Sequence, residues 1–291
     1  MGALRESSTF TAADGLVLHV EHHRLPRARG RVLIVHGYAE HHGRYDPLVA
    51  ALLAAGFEPH QFDLRGHGRS HGEPRGHVDG FEQYRRDLAG VLAAVEARAP
   101  AAARPLFVLG HSLGGLIVLD HALHRATAVG PAPVAGLVLS SPYLGAVGPA
   151  RTLLADLVAH ASPLAPRLQL DSGLEADGLS RDPAVVAAYR SDPMVFGTVS
   201  PGWLHEIRDA QRRVLARAGE IAAPTLLLLG EDDPVAAPER GRELFAALGA
   251  PDKELHVYPG FLHEVFNETG RERVVADLLT WLERRSPSPG A

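Results

Sequence analysis

Apolar positions along the chain follow two alternating rhythms. Short unbroken runs such as "RVLIVHG" (31–37), "PLFVLG" (105–110), "VAGLVLSS" (134–141) and "PTLLLLG" (224–230) have the length of strands buried on both faces. "EPHQFD" (58–63) and "KELHVYP" (253–259) read as further strands, and "LVLHVEHH" (16–23) alternates apolar and polar residues as a half-buried strand does. Between them lie segments of helical period at 46–56, 81–99, 113–124, 239–249 and 271–285. In the second of these, Phe81, Tyr84, Leu88, Val91, Leu92 and Val95 share one face. Repeated strand–helix units predict the α/β class, with a mostly parallel central sheet and helices on both faces. The opening pair of strands is expected to form an antiparallel edge.

The rhythm breaks from about Gly145 to Arg217, where short amphipathic pieces are separated by proline and glycine and no clear strand stands out. This stretch is expected to be a helical cap, residues 145–217, inserted between two parts of one core, 1–144 and 218–291. In "ARTLLADLVAHASPLAP" (150–166), Leu153, Leu154, Leu157 and Val158 fall along one helical face. That face is expected to pack on the body below, and it would also serve as a wall for an apolar substrate. The tail "SPSPGA" (286–291) is expected to fray.

Composition narrows the partners. The 291 residues, 46% of them apolar, suffice for one large core with an insertion. A net charge of -5 gives no reason to expect nucleic acid, whose binding rests on clustered Lys and Arg. There is no cysteine, which excludes disulfides, thiolate metal sites and a cysteine nucleophile and fits a reducing compartment. "MGALRESSTF" lacks the basic segment and apolar core of a signal peptide, and Glu6 breaks the myristoylation pattern. No apolar stretch reaches the roughly 18 residues that span a bilayer. A cytoplasmic protein follows as the expectation, with at most transient contact with membrane surfaces. Nothing in the chain specifies an oligomeric state.

The chemistry concentrates at "VLGHSLGG" (108–115), between a predicted strand and a predicted helix. Gly110-His111-Ser112-Leu113-Gly114 is G-x-S-x-G in the strand–turn–helix context that makes a nucleophile elbow. Glycine leaves room for the sharp turn, and the new helix directs its N-terminal amides to where negative charge develops on the substrate. Serine needs a base, itself oriented by an acid, in the chain order Ser, acid, His. Downstream of the cap only His256 and His263 remain. His256 lies within a strand, whereas His263 lies in the loop after it, so His263 is the expected base. The acid is expected after the strand "PTLLLLG", where "GEDDPV" offers both Asp232 and Asp233.

The chain resembles the monoacylglycerol lipase and lysophospholipase family of serine α/β-hydrolases, particularly its bacterial members. The resemblance is carried by "HGYAEHHGRY" (36–45), "FDLRGHGRSHG" (62–72), "GHSLGG" (110–115), "SRDPAVVAAYRSDP" (180–193), "GEDDPV" (230–235) and "YPGFLHEVFNE" (258–268). "GHSLGG" and "RGHG" are shared by many hydrolases; the "HGxxEHxxRY" block and the cap segment are more specific. The resemblance implies the α/β-hydrolase fold and a triad of Ser112, Asp233 and His263, since the family's acid is the third residue after the strand-ending glycine. It also implies an oxyanion hole made by the backbone N–H groups of Tyr38 and Leu113. Small residues are common in the family at position 38, so the Tyr38 side chain is a departure that narrows the pocket.

Glu40 and Arg44 stand four apart, spaced for an ion pair that braces the oxyanion loop or arranges the polar end of a glycerol ester. His67 and His71, and the "EHH" at 40–42, lack the accompanying ligands of a metal site, so no metal or other cofactor is expected. Asp63 and Arg65 are expected to fix the ends of the RGHG loop. The implied substrate is a monoacylglycerol, cleaved to glycerol and fatty acid through an acyl-enzyme. Lysophospholipase or broad carboxylesterase activity is the nearest alternative, acyl transfer to another alcohol is chemically equivalent, and a non-catalytic binding protein is the rival of another class.

Overall fold

The unbroken apolar runs become the inner strands of an eight-stranded sheet. The computed structural model describes residues 4–98, 104–125 and 134–287. In chain order its strands are β1 (Leu4–Thr11), β2 (Val17–Arg24), β3 (Gly30–Val35), β4 (Phe57–Phe62), β5 (Leu106–His111), β6 (Gly136–Ser140), a short pair β7 (Leu170–Asp171) and β8 (Thr198–Val199), then β9 (Thr225–Gly230) and β10 (Lys253–Tyr258). The main sheet runs β1-β2-β4-β3-β5-β6-β9-β10, while β7 and β8 pair only with each other. From β4 to β10 every pairing is parallel. The antiparallel edge consists of β1 and β2, and β2 pairs with β4 rather than with β3.

Period-two alternation explains why the inner strands carry no polar face. Val32 and Ile34 of β3 join one core cluster, Leu33 and Val35 the other; Leu226 and Leu228 of β9 alternate with Leu227 and Leu229 in the same way. Helices cover both sides. α1 (Asp46–Ala54) and α8 (Glu272–Arg284) pack on the first face through Leu48, Leu52, Leu278 and Trp281. α2 (Glu82–Ala97), α3 (Leu113–Arg125) and α7 (Pro238–Ala247) pack on the second.

The connection from β6 to β9 contains α4 (Pro149–His160), α5 (Pro183–Ser191) and α6 (Pro201–Arg217). Two features differ from the sequence expectation. α6 is not a short piece but seventeen residues long, capped by Ser200, with Trp203, Ile207, Ala210 and Val214 packed into the second core cluster. The apolar face of α4 does not pack down on the body: Leu153, Leu154 and Leu157 are each about 60% exposed. Leu154 and Val158 of that face line a cavity instead. Met1 to Ala3, and residues 288–291 of the tail expected to fray, lie outside the described residues. Among the described residues no helix is long and apolar enough to cross a membrane.

Candidate active site

The loops that leave the C-terminal ends of β3, β5, β9 and β10 converge, where open α/β sheets place their ligands. Ser112 sits between the last residue of β5 and the first of α3, with a φ of 50°. That left-handed conformation is costly for a residue with a Cβ and persists only because the surroundings impose it. The Ser112 amide donates to the Ser140 carbonyl at 3.0 Å, and the Ser112 carbonyl accepts from Tyr143 at 3.0 Å. A Cβ at Gly110 would stand 2.5 Å from the Gly114 carbonyl oxygen, and one at Gly114 would collide with the Val35 carbonyl. Both glycines are therefore demanded by the turn.

Of the two candidate acids, Asp233 is the one that meets the imidazole. His263 Nδ1 lies 2.7 Å from Asp233 Oδ2, while Asp233 Oδ1 accepts from the amides of Val235 and Ala236 at 2.8 and 2.9 Å. Both side chains are buried, whereas Asp232 is exposed. Gly230 permits this meeting, since a Cβ there would run into the Leu262 carbonyl of the loop that carries His263. Burial pulls the His263 pKa down, but the charge and hydrogen bond of Asp233, backed by Glu264 and Glu40, outweigh it and leave the pKa raised above 6.5. The remaining histidine, His256, lies in β10 against Asp277 at 3.2 Å and takes no part in this cluster.

Ser112 and His263 line one cavity of about 610 Å³, together with Tyr38, Leu154, Val158 and Trp203. Ser112 makes no hydrogen bond to His263 among the described contacts, and catalytic bonds of unliganded sites are commonly long. The backbone N–H groups of Tyr38 and Leu113 donate to no acceptor among the described residues, leaving two free donors beside the serine.

The turn that carries Tyr38 is held from below. Glu40 accepts from the Gly37 amide, from Tyr45 Oη at 2.7 Å and from Arg44 Nε at 3.1 Å. Arg44 also donates to Glu264 at 2.6 Å, so one cation with a buried side chain joins the Tyr38 loop to the residue after His263. Glu40 and Arg44 thus do form the expected ion pair and brace the loop, while Glu40 also reaches the cavity wall. Their third member, Glu264, is not visible in the sequence, because its partner lies 220 residues away. Glu268, wholly buried, holds the same loop by accepting from the Leu262 amide at 3.0 Å.

The RGHG loop packs alongside, with Asp63 and Arg65 at its ends as expected. Arg65 forms a two-pronged pair with Asp87 at 2.6 and 2.7 Å, and Asp63 accepts from the amides of His42 and Arg69. His36 Nε2 accepts from the Leu64 amide, which fixes its proton on Nδ1, facing the Gly37 carbonyl. Behind this, His19–Glu21–His42 and His41–His42–Asp63 each gather potential metal-ligating atoms within 4.8 Å. His42 belongs to both groups, and its ring nitrogens face Asp63 at 2.8 Å and Glu21 at 3.5 Å. Burial opposes its charge, yet the two carboxylates raise its pKa to about 9. The EHH stretch therefore does meet distant candidate ligands, His19, Glu21 and Asp63, contrary to the expectation from the sequence.

Comparison with known proteins gives a consistent picture. The Hydrolase_4 family model, described as serine aminopeptidase, S33, matches residues 26–270. The chain is 35% identical over 255 residues to the monoacylglycerol lipase of Mycolicibacterium smegmatis, covering 87% of this chain and 88% of that protein. It is 29% identical to phospholipase YtpA of Bacillus subtilis over 84% of this chain and 91% of that one. The crystal structure of Paleococcus ferrophilus monoacylglycerol lipase superposes with a TM-score of 0.79 at 32% identity, covering 98% of this chain and all of the other. With the α/β-hydrolase sheet, the serine elbow and these relatives together, the chain belongs to the monoacylglycerol lipase and lysophospholipase family of serine α/β-hydrolases.

Proposed function

We propose that this protein hydrolyses monoacylglycerols to glycerol and free fatty acid through an acyl-enzyme, with Ser112 as nucleophile, His263 as general base and acid, and Asp233 as its orienting carboxylate. The observation that carries this reading is the buried Asp233–His263 pair at 2.7 Å, opening on the same cavity as the strained serine. Neutral His263 takes the Ser112 proton as Oγ attacks the ester carbonyl, and Asp233 stabilises the imidazolium. The Tyr38 and Leu113 amides receive the oxyanion; one such donor lowers the barrier by roughly 3–4 kcal/mol. His263 then protonates the leaving alcohol and activates a water to release the acid. A cavity of about 610 Å³ with leucine, valine and tryptophan walls suits a single acyl chain.

Residues 145–217 serve in this reading as the cap, and its exposed leucines as the surface that touches lipid. Leu153, Leu157, Leu164 and Leu168 are 54–89% exposed on one segment whose inner side lines the cavity. An apolar surface continuous with a lipid-sized cavity favours transient interfacial binding.

Ser112→Ala tests the assignment. Turnover of p-nitrophenyl butyrate and of monoacylglycerol is expected to fall by about 10⁴-fold or more, with thermal unfolding unchanged and fluorophosphonate labelling abolished. Labelling that persists in this variant would place the nucleophile elsewhere.

A further inference from the structure

The charge of the cavity is one-sided. Four carboxylates, Glu40, Asp171, Glu175 and Glu264, stand among its described lining residues, and no arginine or lysine does. Two are buried and two are exposed. Glu40 and Glu264 are buried close to His263, while Asp171 and Glu175 are exposed, where the cavity meets solvent. Asp171 is held in place by the Gly173 amide, which it accepts at 2.8 Å. Arg44, behind this lining, is bonded to Glu40 and Glu264 together, one positive charge against two negative ones. Whenever His263 is cationic, its charge is matched by Asp233.

We propose that this carboxylate lining is a head-group filter, admitting acyl esters of uncharged alcohols and rejecting those whose alcohol carries a phosphate or another anion. The proposal rests on the ester-hydrolase reading above and sharpens its substrate class. An anionic head group meets like charge at the mouth and again beside the reacting atoms. The walls between are apolar and screen poorly, so both encounters are unfavourable. The hydroxyls of an uncharged polyol instead find acceptors in the same carboxylates. One set of groups thereby attracts the neutral alcohol and repels its phosphorylated counterpart, which is how specificity is obtained at low cost in affinity.

The experiment compares kcat/KM for monoacylglycerol and for lysophosphatidic acid of the same acyl chain, each below its aggregation concentration. A preference above about tenfold for the uncharged ester is expected; a smaller one overturns the filter. Asp171→Asn combined with Glu175→Gln changes only exposed positions and is expected to raise the anionic-to-neutral ratio at least about threefold, with added salt shifting the wild-type ratio the same way. A ratio that stays within threefold of wild type in the double variant also overturns it. A second pair, p-nitrophenyl butyrate and an aryl butyrate bearing a ring carboxylate, separates the two readings. If monoacylglycerol is not cleaved but the uncharged aryl ester is still preferred, the filter stands and the substrate assignment falls.

Discussion

Two walls of the same cavity are built on different principles. The segment from Asp192 to Glu206 is pinned to the core loops at point after point: His41 Nε2 to Asp192 at 2.8 Å, Tyr38 Oη to the Thr198 carbonyl at 3.0 Å, His77 to Ser200 at 2.7 Å, and the Phe81 amide to Glu206 at 2.9 Å. Tyr38 also stacks on Trp203 with ring centroids 4.0 Å apart. The other wall, α4 and the turn after it to Leu168, packs against α6, receives the Gly202 amide at the Pro166 carbonyl, and is otherwise held by ion pairs nearer the surface, Arg208 with Asp156 and Arg167 with Asp79. Exposed pairs of this kind add little stability, whereas breaking buried ones is costly. The wall that holds Tyr38 is therefore over-determined, and the wall that faces outward keeps its leucines uncovered.

The most severe break is expected at Arg44. Its guanidinium contacts Glu40 and Glu264 and lies 4.6 Å from the centre of the Tyr189 ring on α5, so it ties together the Tyr38 loop, the His263 loop and α5. Arg44→Met leaves two buried carboxylates uncompensated, a loss of about 3–5 kcal/mol. In thermal unfolding this corresponds to a fall of roughly 5–15 °C. Neutralising the partners as well, in Glu40→Gln/Arg44→Met/Glu264→Gln, is expected to recover most of it. A single variant that melts within about 2 °C of wild type would mean that the network is not what joins these elements.

Acid is expected to act on the core before the outer wall. Burial above all pushes His60, His67 and His111 down to about 3, and His22 and His121 to about 4. Unfolded histidines bind protons near pH 6.5, and these folded ones do not until far lower. The stability they allow is thus complete above about pH 6.5 and lost as pH falls towards 4. His42 works in the opposite sense. Its pKa is raised to about 9, so its contribution is whole below about 6.5 and disappears as pH rises through 9. Between Pro149 and Leu168 the only histidine is the exposed His160. Urea midpoints are expected to fall between pH 6.5 and 5; a level midpoint over that range would contradict the buried neutral histidines.

The same contrast separates what the sequence discloses from what it conceals. Strands such as "PTLLLLG" and the "GHSLGG" turn are legible because their cause is local: apolar on both faces, or glycine where a Cβ would collide. The order Ser, acid, His narrows the base to His263, but the residues alone leave Asp232 level with Asp233, since only folding shows which carboxylate faces the ring. β1, "LRESSTFT", is hidden because its order comes from pairing with β2 rather than from an apolar pattern. α6 has the spacing of a buried face at Trp203, Ile207, Ala210 and Val214, yet mean polarity and the Pro-Gly start mask it. Leu157 is the reverse case: an apolar helical stripe does not reveal whether anything lies beneath it.

A milder comparison sets one clasp from each wall side by side. Ser200 caps α6, accepting from the Trp203 amide, and bonds His77. Ser200→Ala is expected to cost about 1–2 kcal/mol in urea unfolding, the range of a lost cap. Arg167→Gln severs its exposed pair with Asp79, which keeps its bond to His77, and is expected to change the midpoint immeasurably. Equal losses in the two variants would erase the distinction between the walls.

The smallest effect on stability is expected on the outer wall, where the largest effect on membrane binding should lie. Leu157 and Leu164 are 61% and 89% exposed and neither lines the cavity. Leu157→Ser with Leu164→Ser therefore removes little folded-state packing, and unfolding should shift by no more than about 0.5 kcal/mol. Partial insertion of each leucine into lipid contributes about 1 kcal/mol, so the pair should weaken partitioning onto phosphatidylcholine vesicles by roughly tenfold or more. Uncharged vesicles are the right test surface, because a net charge of -5 supplies no attraction that would mask the apolar term. Hydrolysis of a water-soluble ester should stay within about twofold of wild type, which separates loss of the lipid-facing wall from damage to the site. If partitioning is untouched while unfolding shifts substantially, the leucines are packing residues after all, and the two walls are alike.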